Sequence, residues 1–425
     1  MSNSHYVPML TLRKFAERLC LFNVRTGEYK ENIKLDKSFS EKNLYSDDIE
    51  EKLNRRLESQ FGNLFSHKLF NAEGKIELKR DELYLIKKFI LVSIIRSSGS
   101  EEFLQVEKNY YKNKNEFAKK FALENGLEYK KIEPPFIERK IENESSFDYW
   151  MRTLNVILDT DGTPQAILDH HDKTYPAHRW ATIINNGYIA FWDSEYDHDE
   201  FIITDIGMTS ENEVGWNGTT QHNVKKTNFL LSLLTNAKSK EEQMIIYQTM
   251  KMHSCFTENF MMFPISAKRM IVLIDPFYKF RIFNKDKYLM PNLETLTKIP
   301  NEKLFYPNSN KYILPQKPFL PPVYHEDDLY IYEIKKLTSK ETRYCNELFL
   351  DRIDTFVGFS SLNKVVGSLF AYKKDNSYPF TPRVDYTELY TIINKKYGAS
   401  IDIDSIGGFR RWNYLLNHWH QDLIL

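Results

Sequence analysis

The apolar residues of this chain change their period once, around Pro134-Pro135, and that change restricts the fold more than any other feature. Before the break they recur at helical steps. Ile49, Leu53, Leu57, Phe61 and Leu64 form one such series, with Glu50, Glu51, Lys52, Arg55, Arg56 and Glu58 between them. The spacing predicts an amphipathic helix from Asp47 to Phe70. Ser46-Asp47 supplies its cap, and acidic residues occupy the first turn, where the helix dipole favours them. A second helix is predicted from Asp81 to about Ser97. Leu85, Phe89 and Val92, with Ile86, Ile90 and Ile94, make it apolar on more than one side, so it belongs between other elements. A third, basic helix is predicted from about Glu101 to Glu124.

Beyond the break one more helix, Phe147 to Leu158, precedes strands. Trp180 to Ile184 and Tyr188 to Trp192 flank Asn185-Asn186-Gly187, a hairpin signal. Phe201 to Thr204, Met270 to Ile274 and Leu329 to Ile334 read as further strands, with a helix at about Lys240 to Met252. The proline-rich stretch from Pro291 to Pro322 reads as an irregular connector. Thr338-Ser339-Lys340-Glu341 is a capping box and predicts a helix to about Phe356. Asp385-Tyr386-Thr387-Glu388 repeats the device, its helix ending before Gly398, and Gly408 to Asp422 forms a short aromatic helix. The fold class is α+β: a helical N-terminal half (1–140) packed on a central, mostly antiparallel sheet (141–335) and closed by C-terminal helices (336–425).

Composition narrows the functional classes. A chain of 425 residues exceeds one ordinary core. Its 58 basic and 58 acidic side chains cancel, so it lacks the overall pull of a DNA-coating protein, and nucleic acid would need a local patch. Cys20, Cys255 and Cys345 are odd in number and far apart, which disfavours a disulfide framework or a thiolate metal site and points to a reducing cytoplasm. The longest apolar run, near Phe89 to Ile95, is too short to span a bilayer, so no membrane partner is expected. Phosphate-binding glycine loops, nucleophile elbows, His-Glu-x-x-His and dinucleotide fingerprints are missing from the sequence.

The first fifteen residues carry a motif: Asn3, His5-Tyr6-Val7-Pro8, then Leu12-Arg13-Lys14-Phe15. With Arg96, Thr204-Asp205, Phe263-Pro264-Ile265 and Asn346-Glu347-Leu348, it resembles the bacterial domain-of-unknown-function family 4238, in islands over roughly residues 3 to 360. Ser4 is inserted in the opening motif, and Met9-Leu10-Thr11 replace polar and aromatic residues. Ser93 stands where the family has a glutamine and Gly207 where it has a proline. The resemblance implies an accessory gene of mobile elements and defence loci.

Three groups of residues are candidates for chemistry. His5, Asp205, Arg13 and Arg96 would suit phosphodiester cleavage: His5 as general acid or base, Asp205 orienting it or holding a metal, and the arginines clamping phosphate. The alternative stitches His5-Tyr6-Val7-Pro8 into the core and pairs the arginines with the acidic helix around Glu51 and Glu58. Asp169-His170-His171-Asp172, His178 and Asp197-His198-Asp199 contain metal-ligand types without an established spacing, and read better as solvated loops. His418 and His420 lie two apart on a helix and point to different faces. Lys108, Tyr110, Tyr111, Lys112, Lys114, Lys119 and Lys120 interleave cations with aromatics, as single-stranded nucleic-acid sites do. A charged helix face over an apolar core is the alternative there.

Together these give a cytoplasmic effector of a bacterial anti-phage or toxin system that cleaves nucleic acid, RNA ahead of DNA. The rival is a non-catalytic module that senses a phage component or binds a protein partner. Cofactor and oligomeric state stay unassigned, a divalent metal being compatible with the first reading.

Overall fold

The structure, a computed structural model, describes residues 3–42, 44–97, 119, 123, 145–160, 181, 184, 185, 187–212, 259–274, 302–306, 311–313, 328–351, 353–374 and 384–398. Its centre is an eight-stranded sheet whose strands β6 (Tyr188–Ser194) and β10 (Arg269–Ile274) bury both faces. In β6, Ile189 and Phe191 join one core while Ala190 and Trp192 join the other. β10 divides Ile271 and Leu273 from Met270 and Val272 in the same way. Side chains alternate across a strand, so strands covered on both sides read as continuous apolar runs.

The order along the sheet is β12-β11-β13-β6-β10-β9-β8, with β5 paired to β13. The remaining strands are β5 (Lys75–Lys79), β8 (Thr209–Asn212), β9 (Asn259–Pro264), β11 (Glu302–Tyr306), β12 (Lys311–Ile313) and β13 (Leu329–Leu337). β13 runs parallel to β6, whereas its pairings with β5 and β11 are antiparallel. Helices α2, α3 and α4 contribute to the core on one face. α2 covers residues 47–69 in four stretches: α-helical over Asp47–Lys52 and Ser59–Leu64, π-helical over Leu53–Glu58 and Phe65–Leu69. α3 is Arg80–Arg96 and α4 is Ser146–Asp159. On the other face pack α5 (Ser339–Leu350), α6 (Leu362–Lys374), α7 (Thr387–Tyr397) and strands of a four-stranded sheet. That sheet is ordered β3-β2-β14-β7, from β2 (Arg18–Asn23), β3 (Tyr29–Lys34), β7 (Ile203–Thr204) and β14 (Phe356–Phe359).

The α+β class holds, and the predicted caps of α2 and α5 form. α7, by contrast, has Tyr386 at its N-cap with no side-chain cap, and the Asp385 carboxylate accepts from the Thr387 N–H at 2.8 Å in place of the expected capping box. Ser46 accepts from the Ile49 N–H, and Thr338 and Glu341 form the reciprocal capping box of α5. α7 stops at Gly398, whose φ is +53°. In the mainly helical N-terminal region, β1 (Asn3–His5), β2, β3 and β4 (Ser40–Lys42) precede the long helices. Three further local expectations fail. The hairpin across Asn185-Asn186-Gly187 does not form, since Ala181, Ile184 and Asn185 are helical. Ala181 and Ile184 stand at helical spacing and enter the helix-side core, while β6 takes β10 and β13 as partners. The proline-rich connector contains the β11–β12 hairpin, with the turn formers Pro307, Asn308, Ser309 and Asn310 between its strands in sequence. Finally, α5 ends at Leu350 and not near Phe356. A buried carboxylate captures the next backbone amides, as described below. Predicted helices at 101–124, 240–252 and 408–422 lie outside the described residues, apart from helical residues 119 and 123.

Candidate functional site

The N-terminal motif lies against the start of α2 and the end of α3. β1 pairs with β4 through Asn3↔Lys42, Ser4↔Glu41 and His5↔Ser40. The Ser4 hydroxyl accepts from the Tyr45 N–H at 3.2 Å, and the Tyr6 N–H donates to the Phe39 carbonyl at 2.9 Å. Val7, Leu12 and Phe15 are buried together with Leu19 and Phe39.

His5 is half-buried, with Nδ1 3.2 Å from the Ser38 carbonyl oxygen. A carbonyl only accepts, so Nδ1 carries the proton and the lone pair of the neutral ring lies on Nε2. Burial lowers the His5 pKa; the Ser38 contact opposes this and Arg96 adds to it.

Arg96 closes the cluster. It is 2% exposed, and its guanidinium donates to the Glu58 carboxylate and to the backbone carbonyl of His5. Tyr45 stands beside it, with its hydroxyl donating to the Arg96 carbonyl at 2.7 Å and its ring 5.9 Å from the guanidinium carbon. Glu50 also faces this cluster, and burial raises its pKa while Ser4 and Arg96 counteract. The structural alternative foresaw the Arg96–Glu58 pair. Glu51 instead pairs with Arg55 at 2.7 Å. A cation held this way positions the motif and is not turned outward as a phosphate clamp.

Asp205 has a similar commitment. Its carboxylate, 1% exposed, accepts from the backbone N–H groups of Asp354 at 3.2 Å, Thr355 at 2.7 Å and Phe356 at 3.1 Å. These are the amides whose capture starts β14 and helps stop α5. Burial pushes the Asp205 pKa up to about 6 against the pull of the amides. Gly207, in the turn that follows, donates its N–H to the Thr204 carbonyl at 2.8 Å with φ at +72°, a conformation a proline ring forbids. Arg13, by contrast, is exposed at the end of α1 (Met9–Leu12) and has no side-chain partner among the described residues.

Two further polar clamps escaped the sequence reading of roles. Asn346 is fully buried, donates to the Glu200 carbonyl at 2.7 Å and the Ser368 hydroxyl at 2.9 Å, and accepts from the Ile202 N–H at 3.1 Å. The Glu200 carboxylate receives the Ser360 N–H at 2.7 Å and the Ser360 hydroxyl, just before α6. For Asn346 the signal is a polar residue on an otherwise apolar helix face, which burial obliges to find partners, whereas Glu200 closes the polar stretch 195–200 and carries no such signal.

The other candidates separate. His198 is exposed, with Nε2 3.1 Å from the Ser339 hydroxyl and 3.2 Å from Asp199 Oδ2. Both contacts use the same nitrogen, which is unlike a relay through the two ring nitrogens. Among the described residues no group of three or more His, Cys, Asp or Glu side chains is placed to hold a metal ion. Of the basic–aromatic stretch only Lys119 is described, and it is exposed; Lys108, Tyr110, Tyr111, Lys112, Lys114 and Lys120 lie outside the described residues, as do Asp169 to Asp172, His178, His418 and His420. A cavity of about 330 Å³ opens between α6 and α7, lined by Tyr372, Lys373, Tyr386, Tyr390 and Asn394 among others, none of them a motif residue. Among the described residues no helix is long and apolar enough to cross a membrane.

No curated protein and no solved structure matches the chain. A family model described as "Protein of unknown function (DUF4238)" matches residues 3–361, which include the opening motif, Arg96, Asp205 and Asn346 and stop before the cavity. The chain belongs to the DUF4238 family.

Proposed function

We propose that the protein is a non-catalytic binding module for nucleic acid, RNA in preference to DNA, with its motif building the fold and performing no cleavage. One observation carries the non-catalytic half: Arg96 and Asp205 spend their polar atoms inside the molecule, on Glu58, the His5 carbonyl and the amides of 354–356. A phosphate clamp and a metal-binding or histidine-orienting carboxylate both need groups turned toward substrate. The nucleic-acid half is supported by the basic–aromatic composition of residues 108–120 and by the outward position of Lys119 and Arg13. In a defence or toxin locus such a module would sense RNA and pass the signal to a partner.

A nuclease is the second reading, and one feature favours it. His5 is neutral near pH 7, with a lone pair on Nε2 suited to a general base. The readings separate in cells that express wild type or His5→Ala. The binding reading expects the same growth and the same total-RNA integrity in both. RNA degradation by wild type that His5→Ala abolishes establishes the nuclease.

A further inference from the structure

Arg13 is the motif residue that the fold leaves without an internal role. Leu12 and Phe15 on either side are buried, while the Arg13 side chain is exposed and unpartnered among the described residues. Its neighbour Lys14 reaches across to α2: the ammonium lies 4.2 Å from the centre of the Phe70 ring and 5.9 Å from that of Phe65. Phe70 is one of the few large apolar side chains of the described residues left exposed, at 38%.

The platform beneath Phe70 is built firmly. Its N–H donates to the Phe65 carbonyl at 2.8 Å, and the Phe65 ring sits 5.8 Å from its own, centre to centre. Buried Arg269 donates to the carbonyls of Leu69, Phe70 and Ala72 and is anchored on Asp193 by two contacts of 2.6 and 2.7 Å. The end of α2 is thus fixed by a buried cation, and the aromatic side chain there stays outside the core. Charge on the adjoining segment favours an anion, since Arg13, Lys14 and Arg18 outnumber Glu17.

We propose that Arg13, Lys14 and Phe70 form a contact surface for single-stranded RNA, the two cations meeting phosphates and the ring stacking on a base. Cations beside an aromatic ring held in place are what sequence-tolerant single-strand binding requires. The assignment rests on the RNA-binding reading above and gives it a location outside residues 108–120.

The test is fluorescence anisotropy of the full chain with a labelled 12-nucleotide single-stranded RNA of mixed sequence, across a salt series. The variants are R13E/K14E, Phe70→Ala and the better-packed Phe70→Leu, each checked for an unchanged melting temperature. Charge reversal should weaken binding at least about tenfold and make the log–log salt slope shallower by about 1.4, two phosphate contacts' worth. Both Phe70 variants should weaken it about fivefold or more. Wild-type binding that no variant weakens overturns the surface and leaves the RNA-binding reading standing. Absence of wild-type binding overturns both. Competition by polyglutamate as effective as by unlabelled RNA, at equal charge, overturns RNA as the occupant in favour of an acidic protein.

Discussion

Arg96 shows how a residue that reads as catalytic from its type becomes structural from its surroundings. A guanidinium inside the protein must find acceptors, and it finds the Glu58 carboxylate and the His5 carbonyl. Removing one partner leaves a buried charge uncompensated. Arg96→Ala should therefore cost about 3–5 kcal/mol by urea unfolding. R96A/E58A should lose less than the two single variants combined, and strict additivity would show that the pair does not interact. Titration adds a second handle. The Asp205 pKa is raised to about 6 in the folded chain, above its ordinary 3.8, so the folded state binds this proton more tightly than the unfolded state. Its contribution is greatest below about pH 4 and is lost as pH rises through about 6, a change on the order of 3 kcal/mol. His5 acts oppositely: its pKa is lowered, so stability falls as pH drops below the unfolded value of 6.5. Unfolding curves of wild type, Asp205→Asn and His5→Gln between pH 4 and 8 separate the two. Asp205→Asn should lose the acid-side gain, and an unaltered profile would contradict a raised Asp205 pKa.

At the level of elements, local chemistry decided what could be read in advance. α2, α3, α4, β10 and the capped starts of α2 and α5 were legible because periodicity and caps act within a few residues. What stayed hidden depends on distant partners. The end of α5 is shaped by Asp205, which lies over a hundred residues earlier in sequence, and the partners of β6 come from β10 and β13. The site divides along the same line. The alternative pairing of Arg96 with the acidic helix was legible from its charge, whereas the amide cradle around Asp205 required the fold. Two element-scale expectations follow. Thr338→Ala should lower stability by about 1 kcal/mol, read by chemical unfolding, because it removes one arm of the α5 capping box. Gly207→Ala should cost about 1–2 kcal/mol, since its φ of +72° is strained for a residue with a Cβ. No loss at Gly207 would mean that the turn relaxes.

Across the whole molecule, a sheet whose strands β6 and β10 are buried on both faces joins the N-terminal helices to the C-terminal ones, and the motif's buried groups sit where β1 meets α2 and α3. The polar groups that face inward stabilise this frame, while Arg13 and Phe70 are exposed and Lys14 lies over the Phe70 ring. The family match ends at residue 361, so all of α6 and α7 and the cavity between them belong to the remainder of the chain. The most direct measurement incubates purified wild type and His5→Ala with labelled RNA and Mg²⁺ or Mn²⁺, following mobility shift and strand integrity in the same samples. A binding module predicts shifted, intact RNA with both proteins. RNA cut by wild type and spared by His5→Ala would contradict it.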